Sequence, residues 1–552
     1  MGIRRRDIYF DFGIAQSWLE HCCFCHDEHG CCRKPEGTLF SFCVLDCETK
    51  KVITAPRDCF YVALSYVWGT QTQGHNASPA EPQSVMQDSN SVLHFQFDYE
   101  NAPRVVKDAV EVALKLRIPY LWVDRYCIDQ ADSLQKDAQI RQMDMIYRNA
   151  HFTIVAAAGE DANRGLPGTS GTPRTPIPSI KIRHQILQTV ALGPERILGS
   201  KWASRGWTFQ EALLSTRHII FTEHEVFFQC AGMRCSESLQ IPLDLLHHHK
   251  IIESDRSSLS VAVTPRIGSN PSTFHTYISD FSKRTLSRET DTLNALQGIF
   301  RRFEKECQLY TYYGIPFHPR ATETRRGVRT LQGGFLYGLL WTRTKPGSRV
   351  LGFPSWSWAG WNGGYVCKDW PPSTRFNSLN DELKKWDTKT NEIHLLGATD
   401  EQKLVIPTRP HGLPQLCSSP QRGSGLIYLS GLSFNFTCKE AAFSYPHTAL
   451  DHMKYLAHIV LDDDTVVAIG VSFCLKFESS GRYYLDPLTH NFTAVMIGNG
   501  FALVLLKADV YYERIGALCL DHSESLQSLV PSPGDGRWVS RIRAEVKGFY
   551  IR

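Results

Sequence analysis

The sequence predicts an α/β fold for its N-terminal part, a parallel sheet with helices on both faces. A mixed middle region and a β-rich C-terminal domain follow. Three observations carry this. Up to about Cys235, apolar runs of strand length alternate with segments of helical period, the pattern of β-α-β crossovers and a parallel sheet. Beyond about Cys367, long helical patterns give way to short β-rich runs. The apolar stretch Phe501–Leu506 falls far short of the roughly 18 residues needed to span a bilayer, so no membrane span is expected.

In order, Phe60–Gly69 is an apolar, aromatic and β-branched run stopped by glycine and reads as a buried strand. A Gly-, Ser-, Asn-, Pro- and Gln-rich loop follows over Thr70–Ser91. Asn101 is placed to cap a helix with Pro103 in its first turn, and Val105, Val106, Ala109, Val110, Ala113 and Leu114 recur at helical spacing. Tyr120–Asp124 is a second strand, Leu134–Asn149 a second helix and Phe152–Gly159 a third strand. A helix over Trp207–Ser215 and two strands, RHIIF and EVFFQC, close the zone. The middle region has helices over Phe274–Lys283 and Asp291–Phe303 and ends in the aromatic segment Gly352–Gly364. The last zone carries IYLSGLSF, YLAHIVL, VVAIGVSF, TAVMIG and ALVLLKADVYY, suited to an antiparallel sandwich or open barrel, with Lys368–Arg422 as a linker or surface insertion. The divisions are 1–56, a Cys/His-containing segment; 57–235; 236–366; and 367–552.

Composition narrows the function. Sixty Lys and Arg against 56 Asp and Glu give a net charge of +4, too even for a dedicated nucleic-acid binder. An odd count of 17 cysteines and the want of an apolar stretch after MGIRRR favour reduced thiols in a cytoplasmic protein. The phosphate loop G-x-x-x-x-G-K-[ST], the nucleophile elbow G-x-S-x-G and the zinc helix H-E-x-x-H do not occur, so ATPase, α/β-hydrolase and metalloprotease readings lack their footing.

Ligands of open parallel sheets bind beyond the carboxyl ends of the strands. Ser65, Tyr66 and Trp68 fall there after the first strand; Asp124, Arg125, Cys127, Asp129 and Gln130 after the second; Arg205, Trp207, Gln210 and Glu211 at the turn after the third. Carboxylates, an arginine and aromatic faces together suit a polar ligand with a ring. The plainer reading makes Asp124 and Asp129 turn and cap residues and pairs Glu211 with Arg205 or Arg217. The tract HCCFCHDEHGCC offers Cys22, Cys25, His29 and Cys32 as zinc ligands, but in closer spacing than zinc modules use. Cys22, Cys25, His26 and His29 also share one helix face, where packing accounts for them, and no metal is the reading taken. The triplet His247–His249 reads as a solvated helix end.

YVALSYVWG, LWVDRYCIDQ, QIRQMDMIYRNA and RGWTFQEALLSTRHIIF together resemble the heterokaryon-incompatibility (HET) domain of filamentous fungi, over about Tyr61–Phe221. The upstream W-x-x-x-C-x-x-x-H from Trp18 and the downstream FPSWSWAGW are similar to flanks of full-length members, whereas the nucleotide-binding module and repeats of the larger members are missing. The resemblance implies non-self recognition and programmed cell death. It further implies a flavodoxin-like fold related to TIR domains, some of which cleave NAD at the nicotinamide–ribose bond. Trp207-Thr-Phe-Gln-Glu211 is similar to the TIR pattern around the catalytic glutamate. Glu211 is therefore the candidate catalytic residue, with Tyr66, Trp68, Asp124, Asp129, Arg205 and Trp207 as candidate ligand-binding residues. No cofactor is expected, NAD entering as substrate. The alternative is a non-enzymatic signalling module acting through self-association or an incompatibility partner protein.

Overall fold

Tyr61–Ser65 is buried at all five positions, and successive side chains of a strand point to opposite faces, so this segment must be covered on both sides. It lies within an eight-stranded sheet in a computed structural model of the chain. The model describes residues 2–3, 7–27, 30–31, 35–69, 97–130, 132–174, 179–182, 185–188, 197–240, 242–243, 267–317, 331–344, 347–366, 392–397, 403–404, 423–440, 455–460, 466–473, 488, 490–497, 501–508, 510–519 and 544–552. The loop Thr70–Ser91, His29, Cys32, His247–His249 and most of Lys368–Arg422 lie outside the described residues. The chain divides into two units, Met1–Ile267 with Arg284–Leu286 and Asn294–Ile299, and Gly268–Lys283 with Ser287–Leu293 and Phe300–Arg552.

The first unit contains β1 (Gly2–Ile3), α1 (Phe12–Cys25), β2 (Cys43–Asp46), β3 (Lys51–Thr54), β4 (Tyr61–Ser65), α2 (Arg104–Lys115), β5 (Tyr120–Trp122), α3 (Asp124–Cys127), α4 (Ser133–Arg141), α5 (Met143–Asn149) and β6 (Thr153–Ala156). There follow β7 (Ser179–Ile182), β8 (Gln185–Gln188), α6 (Gly206–Leu214), β9 (Arg217–Phe221), β10 (Val226–Cys230), β11 (Arg234–Ser236) and β12 (Leu239–Gln240). The large sheet runs β11-β10-β9-β6-β4-β5-β2-β3. Its centre, β5-β4-β6-β9, is parallel. The flanks join antiparallel, through β2 on one side and β10 on the other. Counted in chain order, the parallel strands lie 2-1-3-4, the order of flavodoxin-like sheets, whose crevice opens at the carboxyl ends between the first and third strands. Here those strands are β4 and β6.

Two helices differ from expectation. Asn101 does not cap α2: its side-chain amide donates to Asp98 at 2.7 Å, and the helix starts at Arg104 behind Pro103. The single helix expected over 134–149 is two, α4 and α5, parted at Gln142, which has φ −107° and ψ 8°. The Gln142 side chain accepts the Phe40 N–H at 3.0 Å and donates to the Phe40 carbonyl at 2.8 Å, and Gln139 donates to the carbonyls of Phe40 and Ser41. These tertiary bonds hold Gln142 at the break between the two helices. Among the described residues no helix is long and apolar enough to cross a membrane.

The second unit holds α7 (Phe274–Phe281), most of α8 (Gln297–Cys307), β13 (Tyr310–Tyr312), β14 (Ile315–Phe317), α9 (Leu331–Gly338), β15 (Thr342–Arg343) and β16 (Tyr365–Val366). Its β-rich part comprises β17 (Glu392–Gly397), β18 (Lys403–Leu404), β19 (Gly423–Glu440), β20 (Tyr455–Val460), β21 (Val466–Phe473), β22 (Phe492–Met496), β23 (Phe501–Ala508), β24 (Tyr511–Cys519) and β25 (Glu545–Ile551). β19 pairs with β20 through Thr437–Glu440 and with β22 through Ser433–Phe436, and β20-β21-β24-β23-β22 completes the circuit. The strands therefore close on themselves rather than leaving an open barrel. The FPSWSWAGW segment is structural within this unit. The indoles of Trp356, Trp358 and Trp361 donate to the carbonyls of Gly425, Gly314 and Ser355 at 2.8–2.9 Å, so each buried N–H is satisfied.

Candidate active site

Helix α6 is buried along its length apart from Trp207, and it is pinned at both ends. At its start the Thr208 hydroxyl lies within 2.6 Å of the Trp202 carbonyl and 2.9 Å of the Arg205 carbonyl. At its end the Ser215 hydroxyl donates to the Glu211 carbonyl at 2.7 Å and meets Thr153 of β6 at 2.6 Å. Gln210 accepts the Gly298 N–H at 2.8 Å. Held this way, the helix turns Glu211 toward the end of β4. There the Ser65 hydroxyl donates to Glu211 Oε2 at 2.5 Å, while the Trp202 indole donates to Ser65 Oγ at 2.7 Å. The Tyr147 hydroxyl, from α5, donates to the Leu64 carbonyl of β4 at 3.3 Å, one residue before Ser65.

Asp124 stands beyond the carboxyl end of β5, half-buried. Its carboxylate accepts the Arg125 N–H at 2.7 Å and the Trp68 indole N–H at 3.0 and 3.2 Å. The Arg125 guanidinium lies over the Trp68 ring, 5.7 Å from its centroid, a cation–π contact. Burial, and next the Asp124 charge, push the Glu211 carboxyl from 4.5 up to about 7, against the Ser65 bond and the Arg205 charge. Burial pushes Asp124 up to about 6, against its bonds from Arg125 and Trp68 and the charges of Arg205 and Arg125. The Tyr66 hydroxyl is buried with no hydrogen-bond partner, and burial followed by the Asp124 charge raises it well above the ordinary phenol value. The cluster thus combines an orphaned buried donor with two carboxylates of raised pKa.

The structure thus gathers Glu211, Asp124, Tyr66, Trp68 and Arg205. Asp129 and Trp207 are placed differently: Asp129 accepts the Asp132 N–H at 3.3 Å, ordering the turn into α4, and Trp207 packs partly buried against the core. Ser65 was legible at a strand end, but its bond to Glu211 was not. Trp202 and Tyr147 escaped the sequence reading altogether, because only tertiary packing brings them to Ser65 and Leu64 at the end of β4.

Residues 61–211 match the family model described as heterokaryon incompatibility protein (HET). The chain carries a HET domain. The matched stretch begins at the first residue of β4 and ends at Glu211, so the HET domain contains every residue of the cluster. A curated relative, heterokaryon incompatibility protein 6, OR allele, from Neurospora crassa, is 32% identical over 108 residues, which is 19% of this chain and 15% of the relative. The aligned stretch thus spans a small part of that protein's length. No solved structure matches the chain. A pocket of about 460 Å³ on the surface of the first unit, lined by residues such as Lys50, Tyr99 and Lys115, shares none with the HET cluster.

Upstream of the HET domain, two of the quartet read from spacing, His29 and Cys32, lie outside the described residues, and the other two differ in burial. Cys22 is buried and Cys25 is exposed at the end of α1, with its sulfur 3.9 Å from His21 Nδ1. His26, Cys31 and Cys230 instead surround Cys22.

Proposed function

We propose that this chain acts in heterokaryon-incompatibility-type non-self recognition and cell death, and that its HET domain hydrolyses a nicotinamide nucleotide such as NAD. One observation supports the reading above the rest: two carboxylates of raised pKa stand with an unpartnered buried phenol at the carboxyl ends of the parallel strands, where such sheets bind ligands.

The chemistry asks for little else. In NAD the bond between ribose C1′ and the pyridinium nitrogen breaks, its electron pair goes to that nitrogen, and neutral nicotinamide leaves without a proton. The ribose becomes oxocarbenium-like, water adds at C1′ and releases a proton, and ADP-ribose results. An ionised carboxylate beside C1′ stabilises the developing cation, as in glycosidases. Glu211 takes this part, oriented by Ser65. Trp68, on the exposed side, offers a ring face, and Asp124 and Tyr66 offer partners for ribose hydroxyls.

A second reading rests on burial. Glu211 is only 5% exposed and is already bonded to Ser65, so it serves as a structural pin, and the domain works by self-association or partner binding. Incubating concentrated, purified full-length chain with NAD separates the two. The enzymatic reading expects free nicotinamide, and Glu211→Gln, shown folded by circular dichroism, to lower its release on the order of 10²–10³-fold. A folded Glu211→Gln chain that still kills cells and spares NAD as the parent does would leave only the second.

A further inference from the structure

Four side chains outside the HET cluster converge at one point. Cys22 Sγ, a nitrogen of His26, Cys31 Sγ and Cys230 Sγ all lie within 4.8 Å of one another, and all four residues are buried. We propose that they form a structural zinc site of the Cys₃His kind, which fastens the end of α1 to the end of β10.

The local chain geometry builds the site. Cys22 sits in the last turn of α1, and the His26 N–H closes that turn on the Cys22 carbonyl at 3.1 Å. Gly30, at φ 74°, turns the backbone so that the Cys31 N–H returns to the His26 carbonyl at 3.1 Å. Cys230 ends β10 at the tight turn into β11, where its N–H donates to the Met233 carbonyl at 3.0 Å. His26 Nδ1 faces Cys230 Sγ at 3.2 Å, and Cys31 Sγ lies within 4.8 Å of the other three ligand atoms. Tetrahedral zinc with sulfur ligands at about 2.3 Å spaces them roughly 3.7 Å apart, inside the limit found here.

The surroundings also suit thiolates better than thiols. The Arg217 Nε–H donates to Cys22 Sγ at 3.2 Å and the Gly232 N–H points at Cys230 Sγ at 3.4 Å, and such donors bind an anionic sulfur far more strongly than a neutral one. Arg217 is itself buried, its other donors meeting the carbonyls of His151 and Cys31. Three thiolates, a neutral imidazole and Zn²⁺ carry one net negative charge, and the guanidinium beside them carries the opposite one. Gly232 is required by the close approach: a Cβ there would come within 2.7 Å of the His26 ring. None of Cys22, Cys31 and Cys230 forms a disulfide.

Metal analysis of the full-length chain, purified in reducing, chelator-free buffer from zinc-replete culture, tests this. The expected content is about one zinc per chain, and exchange with cobalt should give the visible bands of tetrahedral Co²⁺ together with thiolate charge-transfer absorption. Cys230→Ser should lower occupancy on the order of tenfold or more, whereas Cys25→Ser should keep it. The cobalt spectrum of the unaltered chain keeps the test decisive if Cys230→Ser does not fold. A parent chain with no bound zinc and no cobalt spectrum would overturn the site. So would loss of metal in Cys25→Ser with retention in Cys230→Ser, which would move it to the exposed tract.

Discussion

Glu211 couples the chemistry of the HET cluster to its stability through one proton. Its carboxyl has an ordinary value of 4.5 and is pushed to about 7 in the folded chain, so the folded state holds the proton more tightly than the unfolded state. The stabilising contribution is fully present below about 4.5 and is lost as pH rises through about 7, a change on the order of 3 kcal/mol. Urea unfolding should show the parent less stable at about pH 8 than at about pH 5, and Glu211→Gln should flatten that slope; an unchanged slope would assign it to another group. Activity runs the other way. The proposed hydrolysis needs the ionised form to stabilise the ribose cation, so on that proposal kcat/KM for NAD should rise with an inflection near pH 7. Ser65→Ala removes the bond that favours the charge and leaves the Trp202 N–H unpaired. It should cost roughly 1–3 kcal/mol in urea unfolding and move the inflection upward. Glu211 could be picked from the sequence because Trp207 and a helix frame it. Ser65 as its partner could not, since the two are 146 positions apart and only the packing of α6 on β4 joins them.

At the scale of elements, the place of Glu211 at the end of β4 depends on where α6 lies, and α6 meets one close approach. Gly298, at the start of α8, donates its N–H to Gln210, and an added Cβ would fall 2.4 Å from Asp144 Cβ and 2.7 Å from Leu214 Cδ1. Asp144 Cβ is fixed directly to the α5 backbone and Leu214 is buried, so Gly298→Ala should destabilise the chain by about 1–3 kcal/mol, read as a lowered urea midpoint. An unaltered midpoint would show that α6 and α8 separate easily. The parallel strands were legible because burial on both faces writes an unbroken apolar run, as in Tyr61–Ser65. The split between α4 and α5 was not, because the pattern Ile140, Met143, Ile146 is periodic through it. What marks the break is the pair of amides reaching the backbone at Phe40, a partner about 100 residues upstream.

At the scale of the whole molecule, the closure of the C-terminal strands shows the limit of periodicity. Alternation announces strands, but β19 changes partner along its 18 residues, and register between distant strands is written in no local pattern. Charge is a global property that a sequence does disclose, and it bears on function. With a net charge of +4 the chain has few cations to spare for a phosphate backbone. The structure sharpens this at the basic pocket on α2, where several cations have partners close at hand. Arg104 pairs with Asp108 at 2.8 Å, Lys107 donates to the Glu100 carbonyl at 2.5 Å, and Lys50 lies over the Tyr99 ring at 4.6 Å. Binding a duplex there would trade these contacts for phosphates, and the gain from released counterions falls steeply as salt rises. Fluorescence anisotropy with a labelled duplex should therefore show no association at about 0.15 M salt and about 10 µM chain, where non-specific DNA-binding proteins begin to saturate. Saturation under those conditions, with a steep salt slope, would place the chain among nucleic-acid binders and reassign the basic pocket as its contact surface.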